Sequence, residues 1–114
     1  MRALANVSLK PRDRAAIEAA ARMLRRRFPV SRVILFGSKA RGRSHRDSDI
    51  DLLVLTKRKL SRREWCKVSH ALTKLELKYD VLFGSVVVDS KEWFRGVSQA
   101  LPLKAEVDRE GVEV

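Results

Sequence analysis

Gly37-Ser38-Lys39-Ala40-Arg41-Gly42 is followed, after five residues, by Ser48-Asp49-Ile50-Asp51-Leu52. Apolar runs stand on either side, Val33-Ile34-Leu35-Phe36 before and Leu52-Leu53-Val54-Leu55 after. Asp49 and Asp51, one residue apart at the start of a strand, point to the same face. Like charges that close repel unless a cation lies between them. Hard oxygen donors of this kind suit Mg²⁺, which commonly takes one or two carboxylates together with substrate phosphates. A Gly-Ser turn opening a short helix offers backbone N–H groups and a hydroxyl to phosphate. One short segment therefore supplies both halves of a metal–nucleotide site.

The pattern GSxxRGxxxxxSDxDL, carried by Gly37 to Leu52, resembles the signature of the nucleotidyltransferases related to DNA polymerase beta. The length of 114 residues resembles the minimal nucleotidyltransferase branch of that superfamily. A lone DxD is weak, but GS, RG, SD and DL at these spacings, between two strands, are specific. The resemblance implies an α+β nucleotidyltransferase fold, a small mixed β-sheet with helices packed on it. It implies transfer of a nucleoside monophosphate, with pyrophosphate leaving and two Mg²⁺ ions held by Asp49 and Asp51. Gly37 then permits close backbone approach, Ser38 hydrogen-bonds a phosphate of ATP or another nucleoside triphosphate, and Arg41 steers phosphate or supports the turn.

Members of that family carry a third carboxylate on the next strand, which orients the nucleophile or acts as its base. Two residues compete for that place. Asp80 precedes Val81-Leu82-Phe83, and Asp89 follows Val86-Val87-Val88. Asp80 is the expected one, because it opens the strand as Asp49 does, which makes Asp49, Asp51 and Asp80 the expected catalytic and metal-binding set. Lys39, Arg43 and Arg46 are divided between triphosphate binding and a solvated loop. His45 lies in that loop without a partner, and His70 falls on a helix surface.

Those residues need elements to position them. Ile17, Ala20, Leu24 and Phe28 recur at helical spacing, with Pro11 in the first turn and Arg25-Arg26-Arg27 in the last, so a helix is expected from about 11 to 28. Strands are expected over 31–36 and 49–56. Ser61-Arg62-Arg63-Glu64 is a capping box that opens a helix to about Lys78. Trp65, Val68, Leu72 and Leu75 line its apolar side, so Trp65 and the packing residue Cys66 are expected in contact with the core. A third strand is expected over 81–88, where Gly84 marks a bend or a close approach. Ser90 is positioned to cap a short helix containing Trp93 and Phe94, and residues 102–110 form a last helix before Gly111. Alternation of this kind implies a sheet with helices packed on it.

The chain has 25 Lys and Arg, 16 of them Arg, against 14 Asp and Glu, a net charge of +11. That balance favours an anionic partner: a nucleotide, a nucleic acid or an acidic protein face. Only 6% of residues are aromatic, and no basic patch interleaved with stacking rings appears, so nucleic acid has no motif to support it. No run approaches the roughly 20 apolar residues needed to span a bilayer. A single cysteine rules out an internal disulfide and fits a cytoplasmic setting. The length fits one domain, residues 1–114, without room for a separate acceptor-binding module.

The resemblance therefore implies a partner that completes the site or receives the nucleotide. In the resembling branch such proteins are antitoxins of small helical HEPN-type toxins encoded nearby, and some adenylylate a tyrosine of the toxin. Trp93, Phe94, Val97 and Leu101 recur at helical spacing, and the segment has surface to offer such a partner, although Trp93 itself is placed in the core. The alternative is a catalytically degenerate module that binds nucleotide or protein without transfer.

Overall fold

A computed structural model describes residues 1–42, 48–96 and 100–114. The sheet has five strands: β1 (Arg2–Ala3), β2 (Val30–Phe36), β3 (Ile50–Thr56), β4 (Phe83–Asp89) and β5 (Val112–Glu113), in the order β1-β5-β2-β3-β4. The helices are α1 (Pro11–Arg27), α2 (Gly37–Ala40), α3 (Arg62–Tyr79), α4 (Ser90–Arg95) and α5 (Pro102–Glu110). The sheet is mixed. β2 runs antiparallel to both β3 and β5, whereas β3–β4 and β1–β5 are parallel pairs. The parallel β3–β4 pair follows from the long crossover through α3.

Alternation along the central strands divides the core in two. Val33, Leu35, Leu52 and Val54 face α1 and α3 and pack with Ala16, Ile17, Ala20, Leu24, Val68 and Leu72. Ile34, Phe36, Leu53 and Leu55 face the other way, against Trp93 of α4 and Val107 of α5. Asp51 belongs to this second face, two residues before Leu53. The small side chains of α1 let that helix approach the sheet closely; Ala16, Ala20 and Ala21 are buried.

The helix signals perform as their chemistry requires. Pro11 occupies the first turn of α1, and Phe28 ends it in an extended conformation before Pro29. Ser61 accepts from the Glu64 N–H at 3.1 Å while the Glu64 carboxylate accepts from the Ser61 N–H at 3.0 Å, which completes the capping box. The cap of α4 is Asp89, which accepts from the Lys91 N–H, rather than Ser90, which is the first helical residue. Two terminal strands escape the sequence pattern because each is only two residues long.

Two expected core residues lie outside. Trp65 is 51% exposed, and Cys66 is exposed. The buried positions of α3 begin at Val68 and continue at Ala71 and Leu72, so the first turn, which carries Trp65, is left outside the core. Trp65 instead borders a shallow cavity of about 420 Å³ with Leu60, Val87 and Val88. Trp93 is buried at 2%, as expected, and Phe94 and Leu101 are exposed; Val97 lies outside the described residues. Among the described residues no helix is long and apolar enough to cross a membrane.

Candidate active site

The site forms where β2, β3 and β4 begin or end together. Phe36, the last residue of β2, pairs with Asp51, and Asp51 pairs in parallel with Gly84 of β4. Directly after Phe36 the chain turns at Gly37, with φ +76°, into the single turn of α2. Gly37 adopts that left-handed conformation at little cost because it has no Cβ. Space gives a second reason: a Cβ on Gly37 would collide with Asp51 Oδ2. Gly84 stands on the other side of the same carboxylate, where a Cβ would meet Asp51 Oδ1 at 2.7 Å and Asp49 Oδ2 at 4.0 Å. Asp51 thus occupies a slot bounded by two backbones, with Asp49 beside it.

The electrostatics of this slot are unfavourable to negative charge. Burial pushes the Asp51 carboxyl above its ordinary value, Asp49 and then Glu106 push it further, and only Arg41 opposes them. Glu106, on α5, is a further acid that bears on Asp51, and no sequence pattern announces it because it arrives from a distant segment. Arg41 joins the two regions. Its Nη1 donates to Glu110 Oε2 at 2.8 Å and lies 3.8 Å from Glu106 Oε1, so α2 is tied to α5. Ser38, the second residue of α2, is half-buried beside Gly37.

The remaining expected residues separate. Lys39 is neither a solvated loop residue nor in reach of a phosphate: it is 1% exposed, and its Nζ donates to Asp13 Oδ2 of α1 at 2.8 Å. Arg43, His45 and Arg46 lie outside the described residues. His70 is exposed on α3, as expected.

Asp80 does not join Asp49 and Asp51. The helix α3 ends one residue earlier than Asp80, which adopts the left-handed conformation at φ 56° as its C-cap. β4 begins only at Phe83, so Asp80 opens no strand. Its side chain is 94% exposed and lies 3.7 Å from Arg12 Nη1. Asp89 is no substitute. It pairs with Thr56, five residues along β4 from Gly84, roughly 16 Å away at the usual rise of a strand. Among the described residues no three His, Cys, Asp or Glu side chains gather as a metal-holding group. The residues of β4 that share the Asp51 face are Gly84, Val86 and Val88, none of which is acidic.

The donor set still fits a divalent cation. Two carboxylates of one face converge, one is disfavoured as an anion by its surroundings, and two glycines leave the space around it clear. Asp49 and Asp51 are the residues that would hold the ion.

Known proteins bear on the same region. The family model described as Nucleotidyltransferase domain matches residues 17–100, which include both glycines of the slot and the carboxylate pair. A Methanocaldococcus jannaschii protein provisionally named a protein adenylyltransferase is 40% identical over 58 residues, 51% of this chain and 59% of that protein. The chain therefore spans less than two thirds of that relative's length. A crystal structure of a toxin–antitoxin with AMP-PNP matches with 26% identity and a TM-score of 0.62, covering 85% of this chain and 70% of the other. A solved structure provisionally described as a minimal nucleotidyltransferase matches with 30% identity and a TM-score of 0.61, covering 89% and 91%.

Proposed function

The chain belongs to the nucleotidyltransferase domain family, and from that premise we propose that it transfers AMP from ATP to a hydroxyl of a partner protein, as the antitoxin of a HEPN-type toxin. The observation that carries this reading is the slot: a Gly-Ser turn and two converging carboxylates at one end of the sheet. The likeness to a toxin–antitoxin solved with AMP-PNP supports the nucleotide and the class of partner, and the name of the archaeal relative supports a protein acceptor.

In the proposed reaction the acceptor oxygen attacks the α-phosphorus of the nucleotide. A new P–O bond forms, the bond from that phosphorus to the bridging oxygen breaks, and pyrophosphate leaves with the electron pair. The acceptor proton passes to solvent. Mg²⁺, when bound, neutralises the charge that gathers on the phosphates. The protein's part is to position. Asp49 and Asp51 are the residues that would hold the ion, and Gly37 lets backbone approach the phosphates. Ser38 donates its hydroxyl proton to a phosphate oxygen. Arg41, held by Glu110 and Glu106, fixes α2 and tempers the negative charge of the slot.

The experiment is incubation with Mg²⁺, ATP labelled in the α-phosphate and the helical protein encoded alongside. Label on the partner chain is the expected result. A stable complex without label would favour the second reading, a nucleotide-binding antitoxin that acts by contact. The absence of any carboxylate on the Asp51 face of β4 is the observation that favours that alternative. Separate elution of the chains at micromolar concentration, with no transfer, would count against both.

A further inference from the structure

The chain's surplus of positive charge is gathered at one end of the molecule. Arg25-Arg26-Arg27 close α1, and the segment 57–67 contributes Lys57, Arg58, Lys59, Arg62, Arg63 and Lys67. These two segments hold nine cations and one acid, Glu64, a surplus of eight out of the chain's net +11. All nine cations lie at exposed positions. The topology sets the segments side by side. β2 leads away from the end of α1, β3 returns antiparallel to it, and α3 follows the end of β3, so the close of α1 and the opening of α3 share one pole. The Lys57 N–H donates to the Pro29 carbonyl at 2.8 Å, two residues beyond Arg27. Asp51 lies toward the opposite pole, six residues from Lys57, roughly 20 Å at the usual rise of a strand.

Structural duties account for some of this charge. Arg25 donates to the Val114 carbonyl, the Arg27 guanidinium stands 5.5 Å from the centre of the Phe28 ring, and Arg58 pairs with Glu64 at 2.7 Å. Arg25 to Arg27 also suit the C-terminal end of α1, where cations complement the helix dipole. Arg62 and Arg63 are placed against that rule: they open α3, where the dipole favours acids. Three residues after Arg62 stands Trp65, 51% exposed, at the rim of the cavity of about 420 Å³. Lys59 lines that cavity with it, as do Asp89 and Glu92. The two carboxylates repel a phosphate but accept hydrogen bonds from the amino group of a base.

We infer that this pole is a docking surface for single-stranded nucleic acid. Phosphates lie along the cations at the ends of α1 and α3, and a base stacks on Trp65 at the mouth of the cavity. Cations that follow a backbone, next to a ring on which any base can stack, are the pairing such ligands use. The sequence hides it, since Trp65 shares a helical spacing with Val68 and Leu72, and its exposure is what shows a ring left for a ligand. A duplex keeps its bases stacked within and cannot offer one to Trp65. An acidic protein face would engage the cations and leave the ring idle. The pole stands apart from Asp49 and Asp51, so docking there is separate from nucleotidyl transfer.

The test titrates the full chain with a single-stranded oligodeoxyadenylate of about 12 nucleotides, following tryptophan fluorescence without nucleotide or Mg²⁺. The parent is expected to be quenched, with the logarithm of its affinity falling against the logarithm of salt at a slope of about −3 to −4, as for about five neutralised phosphates. Trp65→Leu is expected to abolish the quenching and lower affinity about 10-fold. Arg62→Gln with Arg63→Gln and Lys67→Gln is expected to flatten the slope by about 2. Lys10→Gln with Lys78→Gln and Arg109→Gln removes the same charge from exposed positions elsewhere and is expected to leave the slope unchanged. Equal weakening by the two triple variants would reduce the binding to general attraction by net charge and overturn the proposal. So would parent-like affinity in Trp65→Leu, or equal affinity for a duplex of the same length. Polyglutamate that binds as tightly, with the fluorescence unmoved, would overturn it in favour of an acidic protein partner. If the variant at 62, 63 and 67 fails to fold, quenching in the parent and its loss in Trp65→Leu still test the surface, because Trp65 lies outside the core.

Discussion

Asp13 and Asp51 are both carboxylates lodged against the Gly37–Gly42 segment, and their surroundings differ in kind. Asp13 receives a cation from the chain itself, Lys39 Nζ at 2.8 Å, and the two are buried together between α1 and α2. Asp51 receives a second carboxylate, Asp49, within a slot walled by glycine backbone. One charge is neutralised from within and serves as a fastening. The other is left in excess, held half-buried where its charged form is disfavoured, which is the condition of a group set for a ligand from outside. The same short motif thus divides its labour between adjacent residues. Lys39, which looks like a phosphate ligand in the sequence, secures the helix on which Ser38 is presented.

If the Asp13–Lys39 pair is a fastening, breaking it must be costly. Lys39→Met leaves buried Asp13 with only the longer Arg12 contact of 3.8 Å and is expected to destabilise the protein by about 3 kcal/mol, the lower end for removal of one partner of a buried ion pair. Urea denaturation measures this. The double variant Asp13→Leu with Lys39→Met is expected to recover much of the loss, and an unchanged midpoint in the single variant would mean that the pair is no fastening. Ser38→Ala probes the neighbouring position from the other side. It is expected to weaken AMP-PNP binding by about 1.5–3 kcal/mol, the range for a hydrogen bond to an anion, with little change in stability. Titration calorimetry with Mg²⁺ present reads it, and equal affinity would take Ser38 out of the site.

Asp51 and the capping residue Glu64 are shifted in opposite directions and predict opposite responses to pH. Asp51 is raised above its unfolded value of 3.8, so the folded state holds a proton more firmly than the unfolded one. Its contribution to stability in metal-free protein is present at low pH and is lost as pH rises through the raised value. Asp51→Asn should remove that loss, and an identical pH profile for parent and variant would contradict the crowding of the slot. Glu64 behaves in the reverse sense. Its hydrogen bond from Arg58, first, and its capping bond from Ser61 lower it from 4.5 to about 2. Its stabilising effect is present above 4.5 and fades as pH falls toward 2. The pair is fully exposed, so this is the smallest of the expected effects. Comparison of Glu64→Gln with the parent in acid unfolding would isolate it.

Much of this was legible in the residues. The Gly37–Leu52 motif pointed to the fold and to the carboxylate pair, because sterics and charge act there over short stretches of chain. Helix ends at Pro11, Ser61 and Pro102 followed local capping rules. Gly84 was visible as a point of close approach, but what approaches it was not, since strand register joins residues 33 positions apart. Asp80 was misplaced for a related reason. Its sequence resembles a strand opening, yet a left-handed cap ends α3 there and delays the strand to Phe83. The Lys39–Asp13 pair and the bearing of Glu106 on Asp51 depend on packing between distant helices, which no periodicity encodes. β1 and β5 are too short to alternate.

The central claim is that Asp49 and Asp51 form the cation–nucleotide site. It is tested most directly by AMP-PNP affinity with and without Mg²⁺, in the parent and in Asp49→Asn with Asp51→Asn. The parent is predicted to bind more tightly when Mg²⁺ is present. The double variant is predicted to lose that dependence while keeping its fold, and to be no less stable without metal, because a like-charge pair has been removed. A double variant that binds Mg²⁺–AMP-PNP as tightly as the parent would contradict the account.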